Sequence, residues 1–110
     1  MAESCALSVH VDRSSGRLLA TLTGEIDLST VDQLRNMLSD SDGYTIELDM
    51  ADVTFVDSTG LHALLDALLA GHQPRIVRPS TAVTRLLEVT GRYDTFCERR
   101  ADPTPSSARS

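Results

Sequence analysis

The hydrophobic period of the sequence changes sharply near its middle, and this change limits the folds available to the chain. Ile46, Leu48 and Met50 alternate with polar residues, which predicts a strand with one buried face. Beyond Asp57 the apolar positions recur at i, i+3, i+4, i+7 and i+8, which is the spacing of a helix. They are Leu61, Leu64, Leu65, Leu68 and Leu69. Gly71 is the expected end of this helix, and a strand that runs directly into a helix predicts an α/β fold.

The first part of the chain predicts an antiparallel hairpin. Residues 5–11 and 18–22 alternate between apolar and polar, and residues 13–17 between them have the composition of a turn. Further along, residues 75–78 predict a short strand, and residues 93–96 indicate a last short element at the sheet edge. A hairpin followed by alternating strands and helices predicts a sheet of mixed strand direction.

Two more helices have start signals of their own. Thr30, followed three residues later by Gln33, is typical of a capping box. Ser80 is the predicted N-cap of the last helix, and Gly91 is the residue expected to end it. The predicted order of elements is therefore β-β-α-β-α-β-α with a possible final strand.

The charge of the chain is acidic and unevenly distributed. It holds 16 acidic and 10 basic residues, and the basic residues are all arginine, for a formal net charge of -6. Residues 1–70 carry 12 acids and 3 arginines, and residues 71–110 carry 4 acids and 7 arginines, so the two parts have charges of -9 and +3. This balance argues against nucleic acid and anionic membranes as partners. A protein that docks on the first part is expected to carry basic groups.

Targeting signals and cysteine usage indicate a cytoplasmic protein. Residues 1–8 lack the basic start and the apolar run of a signal peptide, and the apolar stretch at 61–71 is too short to span a bilayer. Cys5 and Cys97 have no metal-binding spacing, so we expect two buried thiols in a reducing compartment.

The composition is sufficient for one packed domain. The hydrophobic fraction is 41% over 110 residues, which supports a single core. Residues 101–110 contain two Pro and three Ser without an apolar pattern. We therefore expect a domain over residues 1–100 and a disordered tail over residues 101–110.

The segment with the clearest chemical potential lies where the central helix begins. Ser58 lies beside Asp57 at that point, close to unpaired backbone N–H groups and to the positive end of the helix dipole. A phosphate on Ser58 could be accepted there without unfolding the helix, and it would add nearly two negative charges. The alternative is that Asp57 or Ser58 only caps the helix, and the two interpretations are compatible.

The sequence contains few residue patterns that indicate an enzyme or a metal site. Glu25 and Asp27 could form an acid–base pair, but solvated loop carboxylates have the same pattern. His62 and Asp66 share a helix face, yet a metal site there would need a third ligand that the sequence does not place. Nucleophile-elbow, Walker A, dinucleotide and zincin motifs are all missing from the sequence. We therefore expect a protein that is not an enzyme and has no cofactor or metal.

Three further residues have structural explanations. His10 and His72 lack partners in the pattern, and we expect both on the surface. Gly60 is expected to permit close packing or a special backbone angle in the first turn of the central helix.

Several segments together resemble the STAS domain family. Residues 22–28, L-T-G-E-I-D-L, are similar to the loop with the pattern G-E-[LI]-D that leads into the family's first helix. Residues 52–61, D-V-T-F-V-D-S-T-G-L, resemble its switch segment D-x-x-F-[IVM]-D-S-[ST]-G-[LI]. Residues 77–80 and 85–91 are similar to its third-helix region. The likeness covers roughly residues 5–98. It implies a mixed sheet of about five strands with three or four helices mainly on one face.

The resemblance also implies a function. Free STAS proteins of this kind are anti-sigma factor antagonists, which bind an anti-sigma factor and thereby release a sigma factor. The anti-sigma factor is often a serine kinase that uses ATP, and it phosphorylates the serine that matches Ser58. The phosphorylated form no longer binds, and a phosphatase restores it. By the same match, the partner-facing residues are Asp27, Leu28, Asp57, Ser58, Thr59, Gly60 and Leu61.

Other outcomes stay open at this point. Thr59 is a second hydroxyl that could be modified instead of Ser58, and His62 and Arg92 depart from the family's usual residues. The chain could also be a STAS subunit of a signalling particle or a lipid-transport complex, in which Ser58 is never phosphorylated. A third possibility is a ligand-binding or enzymatic variant with a small molecule at the surface of Asp27 and Ser58.

Overall fold

The structure is a computed structural model that describes residues 6–97, in which strands and helices alternate after an opening hairpin. The strands are β1 (Leu7–Ser14), β2 (Arg17–Ile26), β3 (Thr45–Val56) and β4 (Arg75–Pro79). The helices are α1 (Val31–Ser39), α2 (Ser58–Leu69), α3 (Thr81–Val89) and α4 (Tyr93–Phe96). None of these helices within residues 6–97 is long and apolar enough to cross a membrane.

The described strands form one sheet in the order β1-β2-β3-β4. β1 and β2 are antiparallel, and Ser14 pairs with Arg17 across a two-residue turn. Ser15 and Gly16 in that turn have φ values of 50° and 81°, which gives the turn a twist that suits a hairpin. β2, β3 and β4 are parallel to one another. The predicted sheet of mixed strand direction is thereby confirmed.

The helices cover one face of the sheet, and the core lies between the two layers. Alternate residues of the two central strands point into this core. They are Leu18, Ala20, Leu22, Ile46, Leu48 and Met50. The helices meet them with Leu34, Leu38, Leu64, Val83, Leu87 and Phe96. All of these residues belong to one continuous hydrophobic cluster between the sheet and the helices.

The opposite face of the sheet is polar and is crossed by two ion pairs. Arg17 Nη2 on β2 lies 2.7 Å from Glu47 Oε2 on β3, and Arg78 Nη2 on β4 lies 2.8 Å from Asp49 Oδ2 on β3. Arg78 donates a second hydrogen bond to the same carboxylate oxygen through Nε, at 3.1 Å. The hydrogen bonds between Arg78 and Asp49 hold the pKa of Asp49 below its usual value. The same hydrogen bonds raise the pKa of Arg78.

The end of the fold differs from the sequence-based expectation of about five strands. Residues 6–97 contain four strands, and residues 93–96 form a short helix instead of an edge strand. Phe96 is buried in the core, which fixes this turn of helix under the sheet edge. Cys97 then makes a single parallel bridge to Ile76 on β4, and its thiol is buried as predicted. Cys5 and the predicted tail over residues 101–110 lie outside the described residues.

The capping box predicted at Thr30 is wrong, although α1 does begin after that residue. The Thr30 hydroxyl donates to the backbone oxygen of Glu25 at 2.8 Å and accepts from the N–H of Asp27 at 3.0 Å. Gln33 points elsewhere, and its Nε2 donates to the backbone oxygen of Leu7 at 2.9 Å. Both side chains therefore join α1 to the ends of β1 and β2 instead of capping the helix. Ser80 does cap α3 as predicted, since its hydroxyl accepts from the N–H of Val83 at 3.2 Å.

His72 is not the surface residue that the sequence indicated, whereas His10 is exposed as expected. The His72 side chain is only 16% exposed. The backbone N–H of His72 donates a hydrogen bond to the backbone oxygen of Ala67. The chain therefore folds back over the end of α2 after the turn at Gly71. The ring consequently lies against the loop before β3, where Nδ1 is 3.5 Å from Ser41 Oγ.

Candidate functional site

Two predicted site segments meet at the carboxyl ends of β2 and β3. Ile26 and Val56 are paired at the last position of these parallel strands. The chain leaves β2 at Asp27 and leaves β3 at Asp57, and the N–H of Asp57 donates to the backbone oxygen of Ile26 at 3.2 Å. Parallel strands end at the same edge of a sheet, which is why two segments thirty residues apart in the sequence become neighbours here.

Asp57 is the N-cap of α2. Its Oδ1 accepts a hydrogen bond from the N–H of Thr59 at 2.9 Å and another from the hydroxyl of Thr59 at 2.5 Å. The capping function is therefore carried by Asp57 and not by Ser58. The Thr59 hydroxyl is occupied and only partly exposed.

Ser58 is the first residue of α2, and its side chain is exposed. Within residues 6–97 its hydroxyl has no hydrogen-bond partner. It stands at the positive end of a helix of 12 residues. Of the two hydroxyls in this turn, Ser58 thus presents the accessible one, and it can accept a phosphoryl group without breaking a protein contact.

Gly60 and Leu61 lie beneath this surface. A Cβ atom on Gly60 would come within 2.8 Å of Val56 Cγ2 and 2.9 Å of Ile26 Cγ2, which is closer than real Cβ atoms approach. The predicted close packing at Gly60 is confirmed. Leu61 is only 6% exposed and belongs to the core. Both residues set the height of the first turn of α2 above the sheet.

The loop after β2 stabilises the ionised form of Asp27 through hydrogen bonds. Its Oδ1 accepts from the Ser29 hydroxyl at 2.7 Å and from the Ser29 N–H at 2.9 Å. These hydrogen bonds lower the pKa of Asp27 below its usual value, and the bond from the Ser29 hydroxyl has the largest effect. A carboxylate held in this way is poorly suited to carry a proton, so an acid–base role for Asp27 has little support. Leu28, next to it, is 78% exposed.

Comparison with known proteins identifies the family. The sequence matches the STAS domain family over residues 8–108, which is most of the chain. This protein belongs to the STAS domain family. A search of curated protein sequences gives no significant match.

Several solved structures have the same fold as this chain at low sequence identity. An anti-sigma factor antagonist from Mycobacterium paratuberculosis superposes with a TM-score of 0.76 at 22% identity, with 93% of each chain covered. The anti-sigma factor antagonist SpoIIAA in its unphosphorylated form gives 0.69 at 18% identity, covering 86% of this chain and 90% of that one. The Bacillus cell fate determinant SpoIIAA in the phosphorylated form gives 0.63 at 19% identity, covering 86% and 93%. At these identities the likeness establishes the fold.

Sequence reasoning missed two residues at the site of this STAS domain. Phe55 is 47% exposed, because a register shift between β2 and β3 at Gly24 and Glu25 changes the alternation of the strand. Gly24 has a φ of 114°, and a Cβ there would lie 2.2 Å from the backbone oxygen of Ala6. The G-E-I-D motif was a usable signal for Gly24, whereas nothing in the apolar pattern indicated that Phe55 turns outward.

The other groups considered for chemistry in the described range do not form a site together with Ser58. No group of three or more His, Cys, Asp or Glu residues in the described range could hold a metal ion. Asp66, which the sequence placed near His62, accepts a hydrogen bond from Arg35 Nη1 at 2.8 Å. A depression of about 380 Å³ lies at the start of β3, lined by residues 42–47, 70–73 and 75. It is at the opposite end of that strand from Ser58.

Proposed function

We propose that this STAS domain is an anti-sigma factor antagonist whose binding is switched off by phosphorylation of Ser58. In the unphosphorylated form it binds an anti-sigma factor, and the sigma factor held by that protein is released. The observation that carries the proposal is the contrast between two adjacent hydroxyls. Thr59 donates its hydroxyl to Asp57, whereas Ser58 is exposed at the start of α2 and has no hydrogen-bond partner among residues 6–97.

The relatives support the general function. Two of the structural neighbours are described as anti-sigma factor antagonists, and SpoIIAA is described in both an unphosphorylated and a phosphorylated form. Ser58 matches the serine of the family's switch segment. The proposal transfers to this chain both the binding function and the modification.

The proposed contact surface combines acidic and apolar groups. Asp27 and Asp57 lie at neighbouring strand ends, and Leu28 is almost fully exposed beside them. Residues 18–34 contain no arginine or lysine. An anti-sigma factor that fits this surface would present basic groups around an apolar depression. Gly60 and Leu61 would support this surface from below.

Phosphorylation would change the centre of that contact. The anti-sigma factor, acting as a serine kinase, would transfer the γ-phosphoryl group of ATP to Ser58 Oγ and release ADP, and a phosphatase would hydrolyse the phosphoester. The phosphate would add nearly two negative charges beside Asp57. Burying such a dianion against a closely packed partner requires its desolvation, which opposes binding. The helix N-terminus would meanwhile keep the modified form folded.

This function is that of a cytoplasmic binding protein and not of an enzyme. The proposal needs no cofactor, since every step above uses the hydroxyl of Ser58 and groups of the partner. Both the kinase and the sigma factor act where ATP and RNA polymerase are present, which places the antagonist in the cytoplasm.

The proposal is tested by affinity capture from the lysate of the native host with three bait variants. Ser58→Ala keeps the surface neutral, Ser58→Asp adds a charge at the switch, and Thr81→Asp adds the same charge at the exposed first residue of α3. We expect an anti-sigma factor of the ATP-dependent kinase class on Ser58→Ala and Thr81→Asp, and at least tenfold less of it on Ser58→Asp. The recovered kinase should then phosphorylate the wild-type chain with ATP, at Ser58 in phosphopeptide mapping.

Two results would contradict the switch. Equal capture of one set of transporter or scaffold proteins by all three baits would make this chain a non-switching STAS subunit. Phosphate on Thr59 in the mapping experiment would mean that the cap at Asp57 opens during the reaction and that Ser58 is not the modified residue.

A further inference from the structure

The outer edge of β1 carries backbone hydrogen-bonding groups that face no other strand of the described chain. β1 is the first strand of the sheet, and among the described strands it pairs with β2 alone. The N–H of Glu25 donates to the backbone oxygen of Ala6, and the pairing with β2 continues without a register shift from Leu7 to Ser14. In an antiparallel ladder hydrogen-bonded and non-hydrogen-bonded pairs alternate. The even-numbered residues of β1 therefore bond to β2, and the backbone groups of the odd-numbered residues point outward.

Only one end of this outer edge is covered by the described residues. Gln33 on α1 donates to the outward oxygen of Leu7 at 2.9 Å. Val9, Val11 and Arg13 have no such cover among residues 6–97, and Val9 and Val11 are partly exposed. Edge strands are usually protected by charged side chains, by proline, by a bulge or by a covering element, and β1 has charged side chains only toward its end, at Asp12 and Arg13. β1 has neither a proline nor a bulge, and its cover ends at Leu7.

The side chains of β1 are complementary to those of a second copy. A two-fold axis through Val11 would place Val11 opposite its copy and Val9 opposite Arg13 of the second chain, so that the outward backbone groups meet in hydrogen-bonded pairs. His10 would then stand opposite Asp12 in a non-hydrogen-bonded pair, where cross-strand side chains are closest. Symmetry creates this imidazole–carboxylate pair twice. An axis through Arg13 would instead oppose two arginines, and an axis through Val9 would require the oxygen that Gln33 already occupies.

We propose that two copies of this chain associate through β1, in antiparallel register centred on Val11. The two four-stranded sheets would then join into one continuous sheet, with both helix layers on the same side. Ser58 follows β3, which is separated from β1 by β2, so the surface around Ser58 stays accessible in both copies. The pairing is thus independent of the proposed switch.

Amide exchange in the full-length chain tests the pairing directly. At low protein concentration we expect the amides of Val9, Val11 and Arg13 to exchange rapidly, while those of His10 and Asp12 are protected by β2. Raising the concentration should protect the first three amides by at least tenfold, in parallel with a dimer in sedimentation analysis. Protection of these amides at every concentration would mean that another segment of the same chain covers the edge, and a dimer without their protection would mean that a different surface pairs. Either result, or a monomer at all concentrations, overturns the proposal.

Charge reversal checks the register. Asp12→Arg removes two attractive cross-strand pairs, and from the usual size of such pairs we expect the dimer dissociation constant to rise about tenfold. The double variant His10→Asp with Asp12→Arg places a carboxylate opposite a guanidinium, which reverses the polarity of each pair, and it should restore association. Thr23→Arg, which places the same charge on the open face of β2, is the matched control and should leave the dimer unchanged. Failure of the double variant to recover, with its fold intact by circular dichroism, would exclude the register centred on Val11.

Discussion

At the scale of single residues, the site depends on how closely α2 approaches the sheet. The hydroxyls of Ser58 and Thr59 are adjacent in sequence, yet one is exposed and the other is held by Asp57. This difference follows from the position of Asp57 as the last residue before the helix, because its carboxylate reaches the N–H and the hydroxyl of the residue two positions on. The height of that turn above the sheet is set by Gly60.

Gly60→Ala tests this close approach. Alanine favours a helix over glycine by about 1 kcal/mol, but the added methyl group would meet Val56 and Ile26 at less than 3 Å. Overpacking of this kind typically costs about 1–3 kcal/mol, so we expect a net loss of stability. Urea unfolding followed by circular dichroism measures it, with Ser58→Ala on the exposed side of the same turn as the control. A gain in stability for Gly60→Ala would mean that α2 moves outward without cost.

The residues of the site were predictable to different degrees. The sequence placed Ser58 at a helix start and Asp27 in a loop after a strand, and the family pattern joined them at one surface. The two residues do lie close together in the structure, because parallel strands end at the same edge of a sheet. The exposure of Ser58 relative to Thr59 could not be predicted, since it depends on the turn of the chain that brings the Thr59 hydroxyl, and not that of Ser58, to Asp57 Oδ1. The outward turn of Phe55 was equally hidden, because it follows from a register shift that leaves no trace in the apolar pattern.

At the scale of secondary-structure elements, strong periodicity was a good guide and short patterns were not. The change from period two to helical spacing located β3 and α2 correctly. The four-residue segment at 93–96 is too short to have a period, and its helical form depends on the burial of Phe96. Thr30 and Gln33 had the spacing of a capping box, but carbonyl groups at the ends of β1 and β2 compete for both side chains. Tertiary contacts therefore decided the local structure at both places.

The ion pair between β3 and β4 predicts a pH dependence at this scale. Arg78 lowers the pKa of Asp49 below its usual value of 3.8, so the pair stabilises the folded state above that pH. As the pH falls through the lowered pKa in the folded state, Asp49 is protonated and the contribution is lost. We expect Arg78→Gln to be less stable than wild type at neutral pH, with a difference that shrinks below pH 3.8. Urea unfolding at a series of pH values measures this, and Arg85→Gln on the exposed face of α3 is the control. A difference that stays constant down to the acid limit would assign the loss to packing of the Arg78 side chain.

At the scale of the whole molecule, one core joins every described helix to the sheet. Leu87 on α3 and Leu34 on α1 belong to the same cluster, and both are essentially inaccessible to solvent. A single core of this kind predicts a single cooperative unfolding transition. The site at Ser58 and the edge of β1 therefore share one folded state, even though they lie on different parts of the surface.

A matched pair of leucine substitutions tests this cooperativity. Leu87 is 1% exposed and Leu69 is 86% exposed, so Leu87→Ala leaves a cavity in the core and Leu69→Ala removes only surface. We expect Leu87→Ala to lower the free energy of unfolding by about 2–5 kcal/mol and Leu69→Ala to change it by less than about 0.5 kcal/mol. Circular dichroism follows the helices, and tyrosine fluorescence follows Tyr44 before β3 and Tyr93 in α4. If Leu87→Ala separated the two signals into distinct transitions, α3 and α4 would form a unit that unfolds apart from the sheet. Coincident transitions at a lower midpoint are the expected result, because Leu87 packs in the same cluster as the residues of β2, β3 and α2.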